Sequence, residues 1–216
     1  KATRDTVLPT TITGSYPRPA WFTEVLRGRA FKDALGDAPF REQYLDAVSV
    51  LIREQERAGL DIVTDGDARF DLTVGGKSWF SYPIERLRGI TGHVDRSSSG
   101  AWTAMKPGHI LYEEMEAYQP SIVGEKIEAG PLDYESLYKV AQRFTDKPVK
   151  FGAISAQTLA KMLVNKHYAS ERELILDVAD VFNAELRRVA AAGCPVIQLE
   201  EPRHHMGAAD GSASEK

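Results

Sequence analysis

The spacing of apolar positions changes several times along the chain, and each change predicts an element. Thr10–Tyr16 is rich in β-branched residues and runs into Pro17 and Pro19, so it reads as a first strand. Trp21–Arg27 reads as a short helix. From about Phe40 to Ala58, Tyr44, Val48, Leu51 and Ile52 recur at helical spacing, and Gly59 stops the run. Leu60–Thr64 is a short buried-type strand that closes in Asp65-Gly66-Asp67. Residues 70–130 lose the regular period. They carry Gly, Ser, aromatics and short alternating runs such as His109–Tyr112 and Ser121–Val123, and read as a long excursion containing a β-hairpin. Leu132–Phe144 returns to helical spacing through Leu137, Val140, Ala141 and Phe144. Pro148–Ile154 is a strand and Ala156–Val164 a short helix. Ser170, with Glu173 three residues on, forms a capping-box pattern. The helix it opens carries Leu174, Val178, Val181, Phe182, Leu186 and Val189 and ends at Gly193. Pro195–Leu199 is the last strand and closes in Glu200-Glu201-Pro202.

Strands that alternate with helices imply parallel strands with helices covering them. Four such strands look like half of a (β/α)₈ barrel. Gly14-Ser15, Asp65-Gly66-Asp67, Ser155 and Glu200-Glu201 all fall at C-terminal strand ends, the face that carries the active site in such barrels. Half a barrel leaves open parallel edges. The expectation is therefore one α/β domain over residues 1–216, the N-terminal half of a barrel, with the excursion at about 70–130 and a mobile tail at 207–216. Either the chain continues past Lys216, which is the favoured expectation, or a second chain or another copy completes the barrel, or the strand count differs from four.

Composition narrows the function. The chain has 216 residues and 23.9 kDa, enough for a full core. Its net charge is −4, from 27 Lys and Arg against 31 Asp and Glu. A mildly acidic chain without a long basic run argues against nucleic acid or an anionic membrane as partner. No apolar stretch approaches the ~18–20 residues of a membrane span. Cys194 is the single cysteine, which rules out an internal disulfide or a cysteine-rich metal site. A cytoplasmic enzyme is expected.

Four motifs occur in order: Thr11-Ile12-Thr13-Gly14-Ser15-Tyr16-Pro17, then Asp65-Gly66-Asp67-Ala68-Arg69. Thr145-Asp146-Lys147-Pro148-Val149-Lys150 is the third, and Ala192-Gly193 through Ile197-Gln198-Leu199-Glu200-Glu201-Pro202 the fourth. Together they resemble the C-terminal catalytic barrel of the cobalamin-independent methionine synthase family and its single-barrel relatives. The resemblance spans nearly the whole chain. It implies a barrel of the methionine synthase / uroporphyrinogen decarboxylase-like kind, with this chain as its first half. It also implies a methyltransferase of methionine biosynthesis, moving a methyl group to the homocysteine thiol while zinc holds that thiol as thiolate.

The resemblance carries residues over unevenly. Thr13, Gly14 and Ser15 match the turn that binds the substrate carboxylate. Asp67 and Glu200 match the two carboxylates that hold the substrate ammonium, although the family has Glu at the first position and Asp at the second. Three folate contacts do not carry over. The Arg-Cys pair falls near Met115 and Glu116, the pterin-stacking Trp near Leu159, and a further carboxylate at Met206. Methyltetrahydrofolate is therefore not the expected donor. The usual zinc ligands and the catalytic proton donor are expected beyond residue 216.

Each candidate has a structural alternative. Gly14-Ser15 could be an ordinary turn, Asp65 or Asp67 a helix cap, and Ser155 simply the end of a strand. His204 is a candidate substrate contact. His204 and His205 are also candidate metal ligands, or else loop residues. Cys194, placed before the last strand, is expected to be an inert apolar residue. The alternatives for function are an alkyltransferase or lyase acting on another small thiol such as coenzyme M, and a non-catalytic half-barrel that needs a partner chain.

Overall fold

The computed structural model describes residue 3 and residues 6–17, 19–26, 28–69, 78–94 and 120–201. His109–Tyr112, Met115, Glu116, His204, His205, Met206 and the 207–216 tail lie outside the described residues.

The elements in chain order are α1 (Phe31–Ala34), α2 (Ala38–Arg57), α3 (Ser78–Ile84), β1 (Arg88–His93) and β2 (Ser121–Glu128). They continue with α4 (Tyr134–Gln142), β3 (Lys150–Ile154), α5 (Ala156–Lys161), β4 (Leu163–Asn165), α6 (Glu171–Ala191) and β5 (Val196–Glu200). β3 and β5 pair in parallel, with Lys150 opposite Val196 and Ile154 opposite Glu200. Val63 forms a parallel bridge to Val149 on the other side of β3. The segment 10–16 lies beside 61–66, with Tyr16 N–H donating to the Gly66 carbonyl. The spatial order is thus 10–16, 61–66, β3, β5, matching the order along the chain.

Two of these four neighbours are not regular strands. The Thr10 N–H is bonded by the Asp61 carboxylate at 2.8 Å, and the Ile12 carbonyl accepts from Lys150 Nζ. Thr64 is held by the buried Gln55 of α2, whose amide accepts from Thr64 N–H at 2.8 Å and donates to its carbonyl at 2.9 Å. Side chains here replace ladder partners, which satisfies the backbone without a second strand.

Helices cover one side of this array. On α2, Phe40, Tyr44, Ala47, Val48, Leu51, Ile52 and Gln55 are buried, a repeat of three and four that makes one continuous face. Tyr44 meets Phe31 of α1 edge-on at 4.9 Å and stacks on Phe40 at 5.7 Å. Tyr134 of α4 lies 5.0 Å from Phe151 of β3 and 6.3 Å from Phe182 of α6. The Ser170 hydroxyl accepts from Glu173 N–H and caps α6, as the capping-box pattern predicts.

Some expected elements differ. Trp21–Arg27 is not helical where described. Thr23 and Glu24 N–H both donate to Gln43 Oε1 of α2, at 2.8 and 2.9 Å. Arg29 bonds the carbonyls of Val25 and Leu26. These groups are the ones a helix would have paired internally. The helix expected over 156–164 ends at Lys161, and Leu163–Asn165 becomes β4. β4 pairs in parallel with β2, and β2 pairs antiparallel with β1. No helix among the described residues is long and apolar enough to cross a membrane.

Gly66 lies where α2 meets the turn after the second segment. Its φ is +67°, and an added Cβ would stand 2.8 Å from Leu51 Cδ1. Gly66→Ala is expected to destabilise the protein by about 1–3 kcal/mol through backbone strain and overpacking. A lowered urea midpoint with unchanged slope would show this, and an unchanged midpoint would contradict the close contact.

Candidate functional site

A small cleft opens where the four parallel segments end. Ile12, Thr13, Gly14, Thr64, Asp67, Lys150, Gly152, Gln198 and Glu200 line it. These residues come from all four segments, so the parallel array itself builds the site.

The turn after the second segment is the most constrained part. Gly66 and Asp67 are successive left-handed residues, with φ of +67° and +55°. Glycine adopts that region freely, and aspartate, with its short polar side chain, more readily than most residues. Gly66 N–H donates to Thr64 Oγ1 at 3.1 Å, and Asp67 N–H to Asp65 Oδ1 at 3.0 Å. The turn aims Asp67 at the cleft, where its Oδ2 accepts from Ser15 Oγ at 2.8 Å.

Arg69 lies beneath this turn and is 3% exposed. Its Nη2 contacts Asp67 Oδ1 at 2.9 Å and donates to the Gly152 carbonyl at 2.8 Å, while Nη1 lies 3.4 Å from Asp65 Oδ2. The guanidinium carbon stands 4.9 Å from the centre of the Phe151 ring and about 6 Å from Tyr134 and Tyr82. Burial works against its charge, but Asp65 and Asp67 outweigh that and raise its pKa above the usual value. Burial pushes Asp65 up, against the pull of Arg69.

β3 and β5 supply the opposite wall. Strand alternation and the parallel register place Lys150, Gly152, Gln198 and Glu200 on one face. Lys150 Nζ donates to Gln198 Oε1 at 2.7 Å. Gln198 Nε2 donates to Thr13 Oγ1 at 2.7 Å and to Glu200 Oε1 at 3.0 Å. One amide therefore joins the first segment, β3 and β5. Burial raises the Glu200 pKa, and the negative Asp67 adds to the shift. Burial lowers that of Lys150, opposed by Glu200 and Asp67.

The structure brings Thr13, Gly14, Asp67 and Glu200 to one cleft, with Ser15 bonded to Asp67. Ser155 is engaged elsewhere. Its hydroxyl caps α5 by accepting from Thr158 N–H at 3.1 Å and donates to the Glu201 carboxylate. His204 and His205 lie outside the described residues. Cys194 sits two residues before β5, four residues or more from the cleft residues of that strand. Its thiol faces the Val196 and Val149 carbonyls, and burial raises its pKa. Lys150 and Gln198 were not among the sequence candidates. Their signal was present: a lysine in the strand Pro148–Ile154, and a glutamine one alternation before Glu200.

Comparison with known proteins adds the following. Residues 8–216 match the family described as cobalamin-independent synthase, catalytic domain. The methionine synthase of Sulfurisphaera tokodaii is 31% identical over 200 residues, covering 92% of this chain and 53% of that protein. The methionine synthase of Sulfolobus acidocaldarius is 30% identical over 203 residues, covering 93% and 53%. The chain thus spans about half the length of the curated relatives it matches. A B12-independent methionine synthase from Shewanella sp. W3-18-1, solved with selenomethionine, superposes with a TM-score of 0.66 at 23% identity. That match covers 94% of this chain and 55% of the other. At that identity the likeness shows a shared α/β fold.

The Glu200 shift has a stability consequence. Its folded pKa is raised from the ordinary 4.5, so the folded state holds the proton more tightly than the unfolded chain. The associated stability is fully present below that value and is lost as pH rises through the folded pKa. Glu200→Gln removes this loss and keeps an acceptor for Gln198. Its Tm is expected to match the wild type near pH 4 and to exceed it at pH 7.5. A variant less stable at pH 7.5 would show that the carboxylate is held by stronger partners than its neighbours in the cleft.

Proposed function

This chain belongs to the cobalamin-independent synthase catalytic-domain family, and on that premise we propose that it forms the substrate-cradling half of a methyltransferase barrel. The reaction is methyl transfer to the homocysteine thiol, giving methionine. The sulfur forms a bond to the methyl carbon, the bond from methyl to donor breaks, and the thiol proton is lost.

One observation carries the reading. Asp67 and Glu200, from segments that are not neighbours, face one cleft beside the Thr13-Gly14 turn. Two carboxylates at one small site match a primary ammonium, which offers three donors. Ser15 and Arg69 both bond Asp67, so its carboxylate meets the substrate already oriented. Gly14, with φ +82° and open space around it, lets a ligand approach the backbone closely. In this reading the chain's residues bind and orient the amino-acid end, leaving the thiol end to project away from the carboxylates.

The described residues do not fit a zinc site. They include no group of three or more His, Cys, Asp or Glu side chains that could hold a metal, and Cys194 lies away from the cleft. No step is therefore assigned to zinc among them. The ligands implied by the resemblance belong, in this reading, to the rest of the protein. There the flanking strands would also cover the outer edges of the 10–16 segment and of β5. Leu159, at the position where the resemblance places a pterin-stacking ring, is fully buried in α5. That supports a methyl donor other than one stacked there.

Asp67→Asn and Glu200→Gln in the natural full-length protein are expected to lower kcat/KM for homocysteine by about 10- to 100-fold each, the loss of a charged hydrogen bond. Methylation of 2-mercaptoethanesulfonate, a thiol without an ammonium, serves as the reference. Equal losses with both thiols would mean that the carboxylates shape the cleft without reading an amine.

A further inference from the structure

Lys150 is the cleft residue the family reading leaves unexplained. It is 4% exposed, and lysines that deeply buried are almost always paired. Its ammonium carries three N–H donors. Two are used, by the Ile12 carbonyl and by Gln198 Oε1. Among the described residues no carboxylate lies at ion-pair distance from it.

The local charges point the same way. The cleft and the turn beneath it hold three carboxylates, Asp65, Asp67 and Glu200, and two cations, Arg69 and Lys150. Arg69 is committed to Asp65 and Asp67. Lys150 and Glu200 remain as an opposite pair that faces the cleft without touching. The carboxamide of Gln198 spans them, its oxygen on Lys150 and its nitrogen on Glu200. That O–C–N span of two bonds is close to the three-bond span between the carboxylate oxygen and ammonium nitrogen of an α-amino acid. A ligand with adjacent negative and positive groups matches both ends.

We propose that Lys150 is a substrate-binding, specificity-determining residue that receives the α-carboxylate of a zwitterionic amino-acid thiol, its third donor adding a cation beneath the Thr13-Gly14-Ser15 turn. The proposal rests on the reading of the cleft as an amino-acid site and assigns that site's anion end to a side chain. The lowered pKa of Lys150, caused by burial, is consistent with an ammonium that lacks a close anion until ligand arrives.

Titration calorimetry on the natural full-length protein tests this with three thiols: homocysteine, 3-aminopropane-1-thiol, which lacks the carboxylate, and 4-mercaptobutanoate, which lacks the ammonium. Lys150→Met is expected to weaken homocysteine and 4-mercaptobutanoate by about 10- to 100-fold and to leave 3-aminopropane-1-thiol within threefold. Binding of the amine thiol also reports that the variant is folded. Lys150→Gln, which keeps hydrogen-bond donors but not the charge, serves if the Met variant does not fold. Equal weakening of all three thiols, or of none, would overturn the proposal and leave Lys150 as a strut between β3 and the first segment. Wild-type binding of 4-mercaptobutanoate with a Lys150-dependent affinity, but no gain from an ammonium, would keep the proposal and overturn the amine clamp. Wild-type protein that binds none of the three would overturn both.

Discussion

The buried guanidinium of Arg69 is the interaction on which the site depends. It ties the turn after the second segment to β3 by bonding Asp65, Asp67 and the Gly152 carbonyl together. A cation in that position costs desolvation, and only several well-placed acceptors offset the cost. The aromatic rings of Phe151, Tyr134 and Tyr82 around it accommodate a guanidinium better than they would a lysine ammonium. Removing Arg69 would leave two buried carboxylates facing each other and free Asp67 from its orientation. The ion cluster is thus part of the core and part of the site at once.

The rest of the cleft is assembled by side chains that stand in for backbone pairing. Gln55 brackets Thr64 from α2, and Asp61 holds Thr10. Gln198 and Lys150 hold Thr13 and Ile12. A regular four-stranded ladder would have spent these backbone groups on one another and brought the strand ends to fixed spacings. Side-chain partners instead let the first segment lie beside the cleft with Gly14 open to solvent. They also make its placement dependent on the same polar residues that face a ligand. Binding at Lys150 or Glu200 therefore bears directly on how the first segment is held.

Glu201 shows how adjacent residues on one strand end divide their roles. Glu200 faces the cleft. Glu201, the next residue, accepts from Ser155 and Thr158 and fixes the start of α5. Ser155 is drawn into that structural pair, although its position at a strand end made it a candidate for the ligand.

Periodicity alone determined α2, α4 and α6. Phe40 through Gln55 and Leu174 through Val189 repeat at helical spacing whatever surrounds them, and Ser170 caps its own helix through a contact three residues away. The parallel strands over 150–154 and 196–200, with helices between them, were legible for a related reason: helical crossovers between strands imply parallel pairing. Tertiary structure decided what local pattern could not. Trp21–Arg27 has helical composition, but Gln43 and Arg29 take its backbone groups. Leu163 and Val164 read as the end of a helix, but the edge of β2 captures them in β4. Lys150 was hidden because a lysine in a strand is ordinary until the register turns it toward Gln198 and Glu200, residues about fifty positions away whose charge gives it a role.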